Sequence, residues 1–376
     1  CMGKCDFAPA LEIGHNHVNN ATTEKVDNII LKQKFSPEKV NFIDFKEYKK
    51  NNGYDLYKKI QSNEISFDEF HDVISKAKLR GLGGAGFPAA KKWEFVRSYK
   101  KTKMMCINGD EGEVGTFKDK YYLDRDPHRF LEGTLIAANL VNAQKCYIYM
   151  RDEYPGIIKV LKQEISKLEQ DNITSRGFLE IRRGAGAYIC GEESALIESV
   201  EGKRGIPRHR PPYVAEEGVF GLPTLVHNVE TVFWLREIFE KGAKWFLSFG
   251  KNNRQGLRSF SVSGHIKNPG VKLAPAGISV KDLINEYCDG MLEGHKLKAY
   301  LPGGASGGIL PASLKDLPLD FDVLHDYGCF IGSAAIIILS DKVSMKDVAI
   351  NLMKFFEDES CGQCTPCRNG TSVAVN

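Results

Sequence analysis

The chain has 376 residues, 42% of them hydrophobic and 26% charged, with a formal net charge of +3. This is ordinary globular composition with room for several cores, which excludes a disordered chain, and the lysines are too scattered to form a nucleic-acid-binding stripe. The longest apolar run, CFIGSAAIIIL at 329–339, falls short of the ~20 residues that a bilayer span needs. No secretory signal opens the chain, so a cytoplasmic protein without a membrane span is expected.

Ten cysteines in such a protein call for a reason, because a reducing compartment disfavours structural disulfides. Cys106, Cys146, Cys190, Cys288 and Cys329 stand singly, mostly in apolar stretches, and are expected to be buried free thiols. The others gather at the two ends. CMGKCDFAPALEIG gives Cys1-x3-Cys5 ahead of a short strand-like segment, which reads either as half of a [2Fe–2S] ligand set or as two inert thiols. His15 and His17 follow in a polar loop and are expected to be solvated.

SFDEFHDVISKAKLRG predicts a helix, opened by a Ser66/Glu69 capping box, carrying Phe67, Phe70, Val73, Ile74 and Ala77 on one face, and stopped at Gly81. It feeds RGLGGAGFPAAKKW, whose Gly81-x-Gly83-x-x-Gly86 matches the dinucleotide-binding fingerprint in spacing alone. That fingerprint requires a strand before the glycines, and here a helix precedes them and Phe87-Pro88 follows. Small residues in such number still allow a backbone to approach a flat or anionic ligand closely.

KMMCINGDEGEVGTF predicts a strand, Met104 to Ile107, running into Asn108, Asp110, Glu111 and Glu113. Polar groups at the carboxyl end of a strand in an open α/β sheet are placed to bind a ring system or ribose hydroxyls. A helix (RFLEGTLIAANLVNA), a strand (KCYIYMRDEY), a helix (YPGIIKVLKQEISKLEQ) and a strand (FLEIRRGAG) follow, an alternation that predicts a largely parallel sheet. The last strand ends in GAGAYICGEESALIESVEG, where Glu192 and Glu193 open another helix and would repel free phosphate. Near the end, ESCGQCTPCR sets Cys361, Cys364 and Cys367 at C-x2-C-x2-C spacing, an iron–sulfur signal, with zinc as the alternative. The chain opens on cysteine and stops at TSVAVN inside a helical pattern, so a fragment is expected. The fourth ligand of a [4Fe–4S] cluster is then expected beyond residue 376 or among the isolated cysteines.

RGLGGAGFPAAKKW, INGDEGEVGTFKD, GAGAYICGEESALIESVEGKRG, PTLVHNVET and ESCGQCTPCR, in this order, resemble the 51 kDa-type flavoprotein subunit of NADH dehydrogenases and the diaphorase subunits of soluble NAD-dependent formate dehydrogenases and NAD-reducing hydrogenases. The resemblance implies FMN, NAD(H) and a [4Fe–4S] cluster on one chain, with hydride passing between NADH and FMN and single electrons passing to partner iron–sulfur, molybdopterin or hydrogenase subunits. By position it implies FMN contacts at Arg80, Gly81, Gly83, Gly84, Lys92, Asn108, Asp110, Glu111, Tyr188, Gly191, Glu192, Asn228 and Thr231. It further implies a nicotinamide and ribose side at Glu113 and Glu193, adenine contacts at Phe87, Phe95 and Tyr213, and catalytic roles for Glu113 and Lys92. Cys361, Cys364 and Cys367 match three cluster ligands. His227 departs from a common asparagine and puts an FMN contact at that position in doubt.

The implied architecture is α/β. Residues 1–34 resemble the end of a thioredoxin-like [2Fe–2S] module, and 35–76 form a helical linker. A Rossmann-like parallel-sheet FMN and NADH domain covers 77–250, a small β-grasp domain with its connection covers 251–339, and a helical iron–sulfur domain begins at 340–376. The fused first module favours a soluble formate dehydrogenase or related complex over the respiratory quinone-linked one. A non-catalytic iron–sulfur scaffold and a zinc-binding Rossmann dehydrogenase are the rival classes.

Overall fold

The computed structural model describes residues 2–37 and 40–376, so the expectation for Cys1 lies outside the described residues. The N-terminal segment forms a single 3-10 turn at Cys5–Phe7, a hairpin of β1 (Leu11–Ile13) and β2 (Asn16–Val18), and helix α1 (Thr23–Leu31). His17 is not solvated as expected: its side chain is largely buried, and burial, with Lys120 and Lys4 nearby, holds the imidazole down at about 4. His15 is exposed, as expected.

Helices α2 (Phe45–Lys50), α3 (Asp55–Gln61) and α4 (Phe67–Lys76) follow. Ser66 Oγ accepts from the Glu69 N–H at 3.1 Å, so the capping box starts α4 where expected. The helix ends at Ala77 and not at Gly81, because Lys78 takes a left-handed φ of +54° and turns the chain first. The glycine segment closes on itself: the Gly81 N–H donates to Phe87 O at 2.8 Å and the Ala89 N–H to Leu79 O at 2.9 Å. Helix α5 (Ala89–Ser98) leaves it.

The first sheet is built from β3 (Lys103–Gly109), β4 (Ala143–Met150), β5 (Leu179–Arg183) and β6 (Thr224–Asn228), in spatial order β5-β4-β3-β6 and parallel throughout. Between β3 and β4 run α6 (Lys118–Leu123) and α7 (Pro127–Leu140), and between β4 and β5 runs α8 (Pro155–Gln170). Met105, Ile107, Cys146 and Ile148 point into the main core with α7 and α8. Met104, Cys106, Tyr147 and Tyr149 point to the other face, where they meet Leu196, Ile197 and Val200 of α9 (Glu193–Val200). Both faces are covered, which is why the strands read as unbroken apolar runs.

Past β6 come α10 (Val229–Phe233), α11 (Leu235–Lys241) and α12 (Ala243–Leu247). The second sheet is mixed, in order β10-β9-β11-β7-β8, from β7 (Leu257–Gly264), β8 (Gly270–Pro275), β9 (Leu297–Leu301), β10 (Leu310–Pro311) and β11 (Ala335–Ser340). Its first and last strands, β7 and β11, lie parallel side by side near the centre, the arrangement of a β-grasp sheet. Helix α13 (Val280–Asp282) and the π-helical turn at Leu283–Tyr287 bury Val280, Leu283 and Ile284. Met345, Val348 and Leu352 of α14 (Met345–Asp358) pack on Ala299, Leu301 and Leu339 of the sheet, and α15 (Thr365–Val375) closes the described chain. The five isolated cysteines are all buried and unpaired, as expected.

Candidate functional site

Strands β3 and β6 end level with each other, Asn108 opposite Asn228, with β4 and β5 on the far side of β3. Beyond these carboxyl ends, where open α/β sheets bind their ligands, lies a crevice. Three segments wall it: the glycine loop, the turn after β3, and the 3-10 turn Tyr188–Gly191 before α9. The loop is fastened to the shelf by the Leu82 N–H, which donates to Thr231 Oγ1 at 2.9 Å, and a Cβ on Gly83 would sit 2.9 Å from Asn228 Cβ. Asn108 Nδ2 donates to Gly191 O at 2.9 Å and fastens the third wall.

Asp110 lies in the middle of this crevice. Its side chain is buried, Oδ1 is 3.7 Å from Arg151 Nε, and Oδ2 has no hydrogen-bond partner among the described residues. Burial pushes the carboxyl up to about 7, against the pull of Arg151. A buried acceptor left open is costly unless something fills it, and a ring N–H donor, such as a flavin carries, has the right chemistry. Beside it the glycines leave room: a Cβ on Gly84 would meet nothing closer than Gly332 C at 4.0 Å, and one on Gly191 would lie 3.4 Å from Asp110 O and 3.9 Å from Asp110 Oδ2.

The neighbouring expected contacts divide by what their side chains already do. Glu111 turns away from the crevice; its carboxylate accepts from the Asp119 N–H (2.7 Å), the Lys120 N–H (3.1 Å) and Tyr154 Oη (3.0 Å), and burial raises its affinity for a proton. Arg80 donates to Gly86 O, pairs with Asp322 and lies over the Phe321 ring, so its guanidinium closes the base of the glycine loop. The Asn228 amide is held by Asp119 through Nδ2 (2.6 Å) and accepts from the Glu230 N–H. His227 is turned to the opposite side of β6, where Nε2 accepts from Trp93 Nε1 at 2.7 Å; burial holds it down at about 3, so a neutral imidazole is locked to the core.

Lys92 donates to Val226 O (3.0 Å) and to Glu193 (3.2 Å), Arg210 pairs with Glu192, and Glu192 Oε2 caps α9 through the Ser194 and Ala195 N–H groups. The two carboxylates at the head of α9 are thus each paired with a cation. Phe87 and Phe95, 43% and 54% exposed, stand with ring centroids 6.1 Å apart, while Tyr213, 59% exposed, makes no ring contact with them among the described residues.

Sequence reasoning missed the layer beneath. Lys118 is fully buried, 2.9 Å from both Asp119 and Glu230, and these carboxylates with Glu111 hold its ammonium above the usual lysine range against the cost of burial. Within FKDK it has the look of a solvated charge, and only packing reveals otherwise. Arg151, Ser306 and Glu359 were missed for the same reason: each acts through a contact distant in sequence.

Of the three clustered cysteines, Cys361 is half-buried and Cys364 and Cys367 are exposed. Gly362 turns the loop at φ +76°, Cys364 is the N-cap of α15, and Cys367 lies in its first turn with Sγ 3.4 Å from Ser360 Oγ. Among the described residues no three ligating side chains are gathered around one point. Three accessible thiols on one loop–helix corner nevertheless form the donor set that iron–sulfur clusters use.

The carboxyl end of a parallel sheet, walled by a glycine loop around a buried carboxylate with an open oxygen and joined through Tyr188 to a cysteine corner, fits a flavin- and iron–sulfur-dependent oxidoreductase. Residues 74–237 match the Nuo51 FMN-binding domain and 347–376 the NADH-ubiquinone oxidoreductase-F iron–sulfur binding region. The chain is 40% identical over 337 residues to an F-type NADH-quinone oxidoreductase chain of Rhizobium meliloti, covering 87% of this chain and 80% of that protein. It is 43% identical over 305 residues to the mitochondrial NADH dehydrogenase [ubiquinone] flavoprotein 1 of Dictyostelium discoideum, covering 78% and 64%. It also superposes on a chain of an NAD+-reducing [NiFe]-hydrogenase in the air-oxidized state with TM-score 0.86 and 32% identity, over 100% of this chain and 67% of that one. The chain belongs to the family of F-type NADH dehydrogenase flavoproteins. It is an oxidoreductase of the NADH, FMN and [4Fe–4S] electron-transfer type.

Proposed function

We propose that this chain is the NAD-linked diaphorase of a complex of the formate dehydrogenase or hydrogenase kind, rather than of a quinone-linked one. The supporting observation is that the hydrogenase chain superposes over 100% of this chain, the N-terminal segment included. Among the described residues no helix is long and apolar enough to cross a membrane.

FMN, bound in the crevice, supplies the conversion between a two-electron hydride and the single electrons that a [4Fe–4S] cluster takes. The chain's own residues position and balance charge. The glycine backbone at Gly81, Gly83 and Gly84 gives close approach, Asp110 accepts from a ring N–H, and Asn108 and Thr231 hold the walls. Lys92 sets a positive charge beside the crevice to offset negative charge on a reduced ligand. Glu113 and Glu193 orient the nicotinamide and ribose, the exposed rings of Phe87, Phe95 and Tyr213 take the adenine, and Cys361, Cys364 and Cys367 hold the cluster.

The test is purification of the intact complex with metal analysis and assay. Stoichiometric nickel, molybdenum or tungsten with NAD+ reduction by hydrogen or formate is expected. A complex that lacks all three metals and reduces quinones with NADH would refute the assignment.

A further inference from the structure

Glu113 is held from a different structural unit than its own. It follows β3 in the first sheet's unit, yet its carboxylate is gripped from the second sheet's unit by Ser306, in the 3-10 turn Ala305–Gly307. The Ser306 N–H donates to Oε1 at 3.0 Å and Ser306 Oγ to Oε2 at 2.7 Å, while Tyr188 Oη also donates to Oε2 at 2.7 Å. Among the described residues, two of the three hydrogen bonds to this carboxylate therefore come from one residue, and charge-assisted bonds of this kind are the strong ones.

The surroundings are shaped for this grip. Gly304, at φ +77°, lies so close that a Cβ there would fall 2.6 Å from Glu113 Cγ and 2.7 Å from Val114 O. Thr116 Oγ1 and Ser333 Oγ are 2.6 Å apart, and the Phe117 N–H donates to Ser261 Oγ at 3.0 Å, so the same turn is fastened at two further points to the second unit. A carboxylate that meets a ligand at the mouth of a crevice would otherwise sample many rotamers, and ordering it on binding would cost affinity.

We propose that Ser306 is a positioning residue for nucleotide binding: it presets the Glu113 carboxylate in the orientation that receives the nicotinamide side of NAD(H). This rests on the reading that Glu113 faces the nucleotide, and the experiment separates the two. In the intact flavin-loaded protein, the dissociation constant for NAD+ is measured by titration calorimetry, with FMN content and KM against kcat for NADH oxidation, for Ser306→Ala, Ser306→Thr, Glu113→Gln and the Ser306→Ala/Glu113→Gln double variant.

Ser306→Ala is expected to weaken NAD+ binding and raise KM by about tenfold, the effect of losing one hydrogen bond to a charged group, with kcat and FMN content near wild type. Ser306→Thr, which keeps the hydroxyl, is expected to restore binding, and the double variant to bind no worse than Glu113→Gln alone. If Glu113→Gln binds NAD+ as wild type does, both the reading and the inference fall. If Glu113→Gln is impaired but Ser306→Ala is not, or their effects multiply independently, the inference about Ser306 alone is overturned.

Discussion

Asp110 has the environment of a residue waiting for a donor: a buried carboxylate with one open oxygen, pushed up to about 7 by burial. In flavin-free protein this makes a signed prediction. Below the ordinary aspartate value of 3.8 the carboxyl is protonated folded and unfolded, and burial costs least. Between 3.8 and about 7 the folded state keeps a proton that the unfolded state has released, so stability falls as pH rises; above about 7 the loss is complete. Asp110→Asn removes that slope, and urea unfolding of the flavin-free variant is expected to show it more stable than wild type by about 1–3 kcal/mol at pH 8 and equal to it near pH 4. Equal stabilities at both pH values would show that Asp110 carries no burial penalty. Asp110 itself was legible, because INGD follows an apolar strand, but Lys118 beneath it was not. Sequence reads a lysine as solvated, and three carboxylates converging on one ammonium is a tertiary event.

At the scale of elements, α7 and α10 meet backbone to backbone. A Cβ on Gly133 of α7 would fall 2.0 Å from Val232 O of α10, and no side chain can move to relieve that contact. Gly133→Ala gains helix propensity yet is expected to cost about 1–3 kcal/mol through overpacking, seen as a lower urea midpoint at unchanged slope. Because α10 carries Thr231 and is capped by Asn228, the same variant is expected to retain less FMN after gel filtration. The helices and strands of this region were readable: MMCI and CYIYM are unbroken apolar runs of the kind that only a sheet covered on both faces buries. The end of α4 was misread because Lys78 takes the left-handed turn that residue type would assign to a glycine.

For the whole molecule, Tyr188 links the cysteine corner to the crevice. The Tyr188 N–H donates to Glu359 at 3.0 Å, its ring lies 5.1 Å from Phe355, and its hydroxyl reaches Glu113. Cofactor loading at the two places should nonetheless separate, because Cys364 is exposed at the N-cap position of α15, where its side chain makes no capping hydrogen bond. Cys364→Ala is expected to lower iron content and stop electron delivery to the partner subunits, while FMN content and NADH:ferricyanide activity stay within about twofold of wild type. Loss of FMN together with iron would show that the corner is part of the crevice's structure.

The order of motifs along the chain was enough to determine the chemistry: a flavin converter between a hydride carrier and a thiolate-held cluster, with the parallel sheet that carries it. Periodicity, turn residues and cysteine spacing are local properties, and local properties are written in sequence. Which polar groups face the crevice was decided only in three dimensions. Glu111, a residue away from Asp110, is engaged by the N–H groups of α6, and Asn228 is bound up with Asp119 and Lys118. Glu113 owes its orientation to Ser306, which lies 193 positions further along the chain. Each of those assignments depends on partners brought together by burial, where an unpaired polar group is too costly to leave and the nearest donor, however distant in sequence, takes it.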